Sequence, residues 1–189
     1  DIAPEHLTSA LKEIISGKFI KDNRMLLEVS INDDNDSFYA VNEAVINSGA
    51  VAQLIEYDLY IDGVFVYSQS ADGMIINTPT GSTAYSLSGG GPILHPTVKG
   101  ITILPMFPHS LSSSPLIIED SSQIQVVILG GRGKASVSLD SHHSIKLKKL
   151  DVVNIRKAKT EFVLIHPIDH DFYFSCRNKL GWSSRIVLK

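Results

Sequence analysis

A mainly β (α+β), layered fold, sandwich-like with a few short helices, is predicted for this chain. Short apolar or alternating segments, about nine to eleven of them, recur at fairly regular spacing. Turn signals rich in Gly, Asn and Asp separate them. The 189 residues, 43% hydrophobic and 20% charged, suffice for one substantial core.

Residues 2–17 predict a helix: Pro4 suits its first turn, Leu7, Leu11 and Ile14 share a face, and Gly17 stops it. The period then shortens. Residues 25–31, 38–46 and 54–61 are rich in β-branched and aromatic side chains and read as strands. Asp62-Gly63 predicts a hairpin turn into the strand beginning VFVYSQ. MIIN (74–77) is a further strand before a Gly/Ser/Thr-rich centre, followed by strands at 101–106, 116–119, 124–129, 135–140, 151–155 and 162–166. Gly130–Gly133 predicts a tight connection, and the final stretch carries only a weak helical pattern. The organisation expected is a helix over 1–17, a β-rich domain over 18–160 and a tail over 161–189.

Seventeen Lys and Arg against twenty Asp and Glu leave a formal net charge of −3. That lacks the basic excess of a duplex nucleic-acid binder and the polybasic patch of an anionic-membrane binder. No apolar run reaches the ~18 residues of a spanning helix. The single cysteine, Cys176, excludes an intrachain disulfide and fits a reducing, cytoplasmic location. The sequon at Asn35 reads as chance. The chain begins at Asp1 rather than Met, as expected of part of a longer protein.

Chemistry concentrates in Asp72–Pro92. A strand runs into Thr78-Pro79-Thr80-Gly81, and a short helix is expected to start near Ser82-Thr83, with either hydroxyl as its cap. Thr78, Thr80, Ser82, Thr83, Ser86 and Ser88 place six hydroxyls within eleven residues. Two readings stand: a polar cradle for a nucleotide at a helix start, or a capped helix between two strands. No Walker A loop, G-x-G-x-x-G fingerprint, G-x-S-x-G elbow or H-E-x-x-H is present. Asn42-Glu43 interrupts an apolar segment, either as a ligand pair or as a solvated strand end. His166 and His170 flank Pro167, which spoils helical presentation, so no zinc site is expected.

The segment DGMIINTPTGSTAYSLSGGGPILHP resembles the signature stretch of NAD kinases, D-G-x-x-x-x-T-P-T-G-S-T-A-Y-x-L-S-A-G-G-P. VNEAVI, ILPMFPHSLSSSPLII, SLDSH and LIHPIDHDFYFSCRNKLGW resemble further family blocks, so the likeness extends over essentially the whole chain and fits the bacterial branch best. It implies transfer of a phosphoryl group from ATP, with Mg²⁺ or another divalent metal, to the 2′-hydroxyl of the adenosine ribose of NAD. It also implies the β-rich carboxy-terminal domain of a two-domain fold and a homo-oligomer, dimer or tetramer. The family's amino-terminal α/β domain carries a G-G-D-G loop whose aspartate serves as base. No G-G-D-G occurs here, so that domain is read as absent and the chain alone as inactive.

By resemblance Asn42 faces the adenine, Glu43 the ribose hydroxyls, and Asp72 an amide or amino group of the dinucleotide. Thr83, Ala84, Tyr85 and Ser88 line adenine and pyrophosphate, with Ser86 and Leu87 in the same turn. Gln53 is placed near the ligand, as is His142, where Ser141-His142 replaces the family's Gly-Gln. Asn77 stands where serine is common, and Ser70 where many bacterial members carry arginine. Residues 105–111 are an interface or ligand wall, or else ordinary core. The alternatives to an NAD kinase are a lipid kinase of the diacylglycerol or sphingosine type and a non-catalytic NAD-binding or oligomerisation module.

Overall fold

A computed structural model describes residues 4–32, 34, 36–49, 53–110 and 113–182. After a 3-10 turn at Pro4–His6 come α1 (Leu7–Ile15), β1 (Ile20–Ile31), β2 (Phe38–Ala40), β3 (Glu43–Asn47), β4 (Ile55–Ile61), β5 (Val64–Ala71) and β6 (Gly73–Asn77). A second 3-10 turn, Thr80–Thr83, leads to α2 (Tyr85–Ser88). There follow β7 (Gly100–Met106), β8 (Leu116–Glu119), β9 (Ile124–Gly131), β10 (Ser136–Leu139), β11 (His143–Lys146), β12 (Val152–His166) and α3 (Phe172–Leu180). The chain divides into two units, residues 24–162 and residues 1–23 with 163–189.

The unit 24–162 is built on two six-stranded sheets, ordered β2-β1-β12-β9-β4-β5 and β11-β10-β3-β6-β7-β8. Strand alternation fills the space between them. Leu27, Val29, Ile55, Tyr57, Leu59, Ile124, Val126, Val153 and Ile155 from the first sheet meet Ala44, Ile46, Met74, Ile76, Ile101, Ile103, Val137 and Leu139 from the second. Side chains one residue along point the other way. On the outer face of the second sheet Val45, Ile75 and Leu104 form a separate buried cluster. Both faces of β6 and β7 are therefore covered, which is why their sequences are apolar without alternation. Pro105 is tolerated in β7 because β8 pairs only with residues 100–103, so no ladder partner needs its missing N–H.

Asp62 and Gly63 hold φ of +52° and +76° and join β4 to β5 as the hairpin expected. Gly63→Ala is expected to cost about 1 kcal/mol, through backbone strain alone, since no atom lies within 4 Å of an added Cβ. Urea denaturation of the variant checks it.

Several expectations are corrected. Among the described residues twelve strands form, not nine to eleven, because β11 carries little apolar signal. Residues 38–46 split into β2 and β3, which lie in different sheets. The segments 151–155 and 162–166 are one strand, β12, whose charged middle carries no turn residue. Gly130 and Gly131 end β9 rather than making a turn; the register shifts between Glu56 and Tyr57, a β-bulge opposite Ile128–Gly130.

In the unit 1–23 with 163–189, the first helix is a 3-10 turn followed by α1, and Gly17 at φ +86° follows its end. Leu7 and Leu11 are exposed, while Ala10 is buried. Residues 171–181 are more regular than their sequence suggests. Asp171 caps α3 by accepting from Tyr173 N at 2.8 Å, and Gly181 closes it at φ +60°.

Candidate functional site

Glu43 opens β3, in the middle of the outer-facing row of the second sheet. Its neighbours across the ladders are Asn77 on β6 and, beyond it, Thr102 on β7. Residues directly opposite in antiparallel strands share a face, so three polar side chains stand side by side. All three are buried, and each keeps one atom without a hydrogen-bond partner: Glu43 Oε2, Asn77 Oδ1 and Thr102 Oγ1. The sequence left Glu43 open between a buried ligand group and a solvated strand end. The structure buries it, at 3% exposure.

Burial, with the nearby Asp140 charge second, pushes the Glu43 carboxyl up to about 7. Between its ordinary value near 4.5 and about 7, the folded chain holds a proton that the unfolded chain has released. Stability is therefore lost as pH rises through that window, by about 3 kcal/mol at most. Glu43→Gln removes the effect. Urea denaturation of both proteins at pH 5 and pH 8 should show the variant gaining relative to wild type at the higher pH; a constant difference contradicts this assignment.

The Thr-Pro-Thr-Gly turn is fastened to the residue before Glu43. Thr78 N donates to Asn42 O at 2.9 Å, and Thr78 Oγ1 donates to Val41 O at 2.6 Å while accepting from Gly81 N at 3.1 Å. A Cβ on Gly81 would stand 2.1 Å from Asn42 O, so only glycine permits this approach. Asn77 Nδ2 donates to Thr78 O at 2.9 Å, and Arg24 Nη1 to Thr80 Oγ1 at 3.2 Å.

The six hydroxyls divide by task. Thr78, Ser82 and Ser86 are buried. Ser82 Oγ donates to Pro79 O at 2.6 Å and accepts from Leu94 N at 3.0 Å, which ties the turn to the segment beyond the glycines. Thr83 Oγ1 donates back to Thr80 O at 3.3 Å. Neither Ser82 nor Thr83 caps a helix, contrary to expectation. The helix itself, α2, has four residues and no side-chain cap, too short for a substantial dipole. Tyr85 and Ser88 are exposed, and Asn42, Thr83, Ala84 and Leu87 are half-buried. Ser86 points inward, with its Oγ unpartnered.

The other residues singled out from the sequence separate into two groups. His142 is exposed in the turn after β10, whose Leu139 pairs with Ala44, and so lies at the Glu43 end. Asp72 lies at the opposite end of β6, about 17 Å from Asn77 by strand rise. Gln53 precedes Ile55, which pairs with Ala71, and shares the Asp72 end with Ser70. One chain thus brings Asn42, Glu43, His142 and the Thr78–Gly81 turn to one end, and leaves Gln53 and Asp72 at the other.

Residues 105–110 also divide. Pro105 is buried and Met106 packs on the Val45 cluster, whereas Phe107 is 77% exposed at φ +45°; Leu111 lies outside the described residues. His166 and His170 stack at 3.8 Å between ring centroids, with His166 Nε2 3.2 Å from Asp22 Oδ2. Two surface grooves of about 420 and 280 Å³ are lined by residues such as Glu28, Asn32, Gln125 and Asp151, and by none of the candidate residues.

The sequence assigns no site role to Asp140, Arg24 or Thr102. Asp140 accepts from three backbone amides of residues 41–43. The available signal was its place in the SLDSH block that resembles the family; by residue type alone, an acid at the end of an alternating strand denotes only a turn.

A family model described as the ATP-NAD kinase C-terminal domain matches residues 41–167. The NAD kinase of Acinetobacter baylyi is 44% identical over 186 residues, 97% of this chain and 61% of its own length. That of Chromohalobacter salexigens is 43% identical over 191 residues, covering 98% and 65%. Among solved structures, yeast NADH kinase complexed with NADH superimposes with a TM-score of 0.85 at 29% identity, covering 98% of this chain and 57% of that one. An NAD kinase from Archaeoglobus fulgidus in complex with ATP gives 0.78 at 26%, covering 95% and 66%. The chain thus spans 61–65% of the length of these two bacterial relatives. These matches do not favour the lipid-kinase alternative. With two layered sheets carrying the TPTGSTAY turn against Asn42-Glu43, and a family model covering two thirds of its residues, the chain belongs to the ATP-NAD kinase C-terminal domain family.

Proposed function

We propose that this chain is the dinucleotide-binding part of an NAD kinase, which transfers the terminal phosphoryl group of ATP to the 2′-hydroxyl of the adenosine ribose of NAD. One observation carries the reading: a buried carboxyl with an unpartnered oxygen, Glu43 Oε2, stands beside Asn42 at the foot of a turn that exposes Tyr85. An unsatisfied buried polar atom is costly unless a ligand completes it.

In this reading Glu43 meets the ribose hydroxyls and Asn42 the adenine edge. Thr83, Ala84, Tyr85, Leu87 and Ser88 form the surface against adenine and pyrophosphate, and inward-facing Ser86 supports them. Gln53, Asp72 and His142 serve the same ligand, Asp72 through an amide or amino group; only a ligand as long as a dinucleotide, or a second copy in a homo-oligomer, spans the two ends. The transfer forms a bond from the 2′-oxygen to phosphorus, breaks the bond joining that phosphorus to ADP, and releases the hydroxyl proton. This chain's part is to hold and orient the acceptor, which accounts for much of a positioning-dominated reaction.

Among the described residues no group of three or more His, Cys, Asp or Glu is placed to hold a metal ion, so no step is assigned to one here. No helix among them is long and apolar enough to cross a membrane; a cytoplasmic location is part of the proposal. So is the packing of Leu7, Leu11, Tyr173 and Phe174, exposed within the unit 1–23 with 163–189, on an amino-terminal domain.

Calorimetric titration of NAD into the chain tests the reading. Saturable binding weakened by Tyr85→Ala supports it, and no binding overturns it. NADP formation by the chain alone is expected to be undetectable; turnover comparable to a complete NAD kinase overturns the half-site assignment, and NAD binding with no kinase activity in any longer form favours the non-catalytic module.

A further inference from the structure

Three consecutive amides converge on one carboxylate. Val41 N donates to Asp140 Oδ2 at 2.7 Å, while Asn42 N and Glu43 N donate to Asp140 Oδ1 at 2.8 and 3.0 Å. The Asp140 amide donates in return to Glu43 O at 3.1 Å. Asp140 reaches this position from a left-handed backbone, φ +46°, followed by Ser141 at +59°. Here the chain crosses from β2 in one sheet to β3 in the other, where amides leave their ladders and need acceptors. A carboxylate bonded by several amides is a strong, directional anchor.

We propose that Asp140 is the positioning residue of the dinucleotide site: its carboxylate sets the backbone of Asn42 and Glu43 against the Thr78–Gly81 turn and places a fixed negative charge beside the Glu43 carboxyl. This rests on the NAD-binding reading above. Asp140 touches no ligand in that reading and acts through residues 42 and 43. Its charge adds to burial in raising the Glu43 carboxyl to about 7, so that near neutral pH a substantial share of Glu43 carries a proton and donates to a ribose oxygen. The side chains beside Glu43 in the sheet, Asn77 and Thr102, are uncharged. On the adjoining elements the charged or titratable groups are Asp140, with His142 and His143 exposed on its turn, Tyr85 exposed on α2, and Arg24, bonded to Thr80.

Asp140→Asn tests this in the 189-residue chain. The amide keeps the volume, removes the charge, and turns one acceptor into a donor facing an N–H. NAD affinity should fall at least tenfold by calorimetry, and the pH midpoint of the Glu43 carboxyl, followed by carbon NMR with Glu43→Gln for assignment, should move down. Asp140→Glu keeps the charge but displaces the oxygens by one methylene; it should leave the midpoint near wild type while weakening NAD, and it replaces the asparagine variant should that one not fold. Wild-type affinity in the variants overturns the positioning role, as does an unmoved Glu43 midpoint in Asp140→Asn. A wild-type chain that binds no NAD overturns the functional reading instead, and the Glu43 midpoint then still decides whether Asp140 acts on it.

Discussion

Glu43→Ala is expected to weaken NAD binding by one to two orders of magnitude while leaving the fold intact. Truncating one partner of a buried hydrogen bond costs about 1–3 kcal/mol, or roughly 5- to 150-fold in affinity. The loss is separable from unfolding because Glu43 opposes folding above neutral pH: its Oε2 is buried without a partner, and Asp140 repels its charge. Removing it relieves both effects, against a modest cavity cost. The expected result is a variant at least as stable as wild type at pH 8 that binds NAD poorly. Calorimetric titration beside thermal denaturation decides it. A Glu43→Ala chain that binds NAD like wild type leaves the buried carboxyl without a ligand role.

Gly81→Ala should be strongly damaging. The added Cβ would stand 2.1 Å from Asn42 O, 2.5 Å from its carbonyl carbon and 2.8 Å from its Cα. All three are backbone atoms, so no side chain can rotate away. The Asn42 amide is also bonded to Asp140 Oδ1 at 2.8 Å, so displacing this backbone strains that bond as well. Overpacking of this kind costs about 3 kcal/mol or more. Since the atoms that must move are those of Asn42 and the turn, binding is expected to fail together with stability. Gly90→Ala is the control. Its φ of +85° is strained but no atom lies within 4 Å of the new Cβ, so a loss of about 1 kcal/mol with little effect on NAD is expected. Equal losses in the two variants would show that close approach at Gly81 is not the constraint.

The elements that were legible are those written locally. The Asp62-Gly63 turn lies between two alternating segments, so pattern and turn chemistry agree within a dozen residues. The central turn announces itself through Thr78, Thr80, Ser82 and Gly81, and the likeness to NAD kinases follows from that run. The errors share a cause as well. Residues 156–161 read as a break because Arg156, Lys157 and Lys159 are charged, yet they continue β12 with Arg156 paired to Glu28 of another strand at 2.8 Å. Asp140 lay in the SLDSH block without an assigned role, since its partners lie nearly a hundred residues upstream.

From the linear order of residues alone, the β-rich character, the hairpin and the Gly/Ser/Thr-rich central turn could be read, because periodicity and turn chemistry act over a few neighbours. Folding in three dimensions settled the rest. It buried Glu43 rather than solvating it, turned Ser86 inward while exposing Tyr85, and drew residues 41–43, 77, 102 and 140 together across four strands and a turn. Strand order and register place those groups, and both depend on which distant segments pair. No window of local sequence contains that choice.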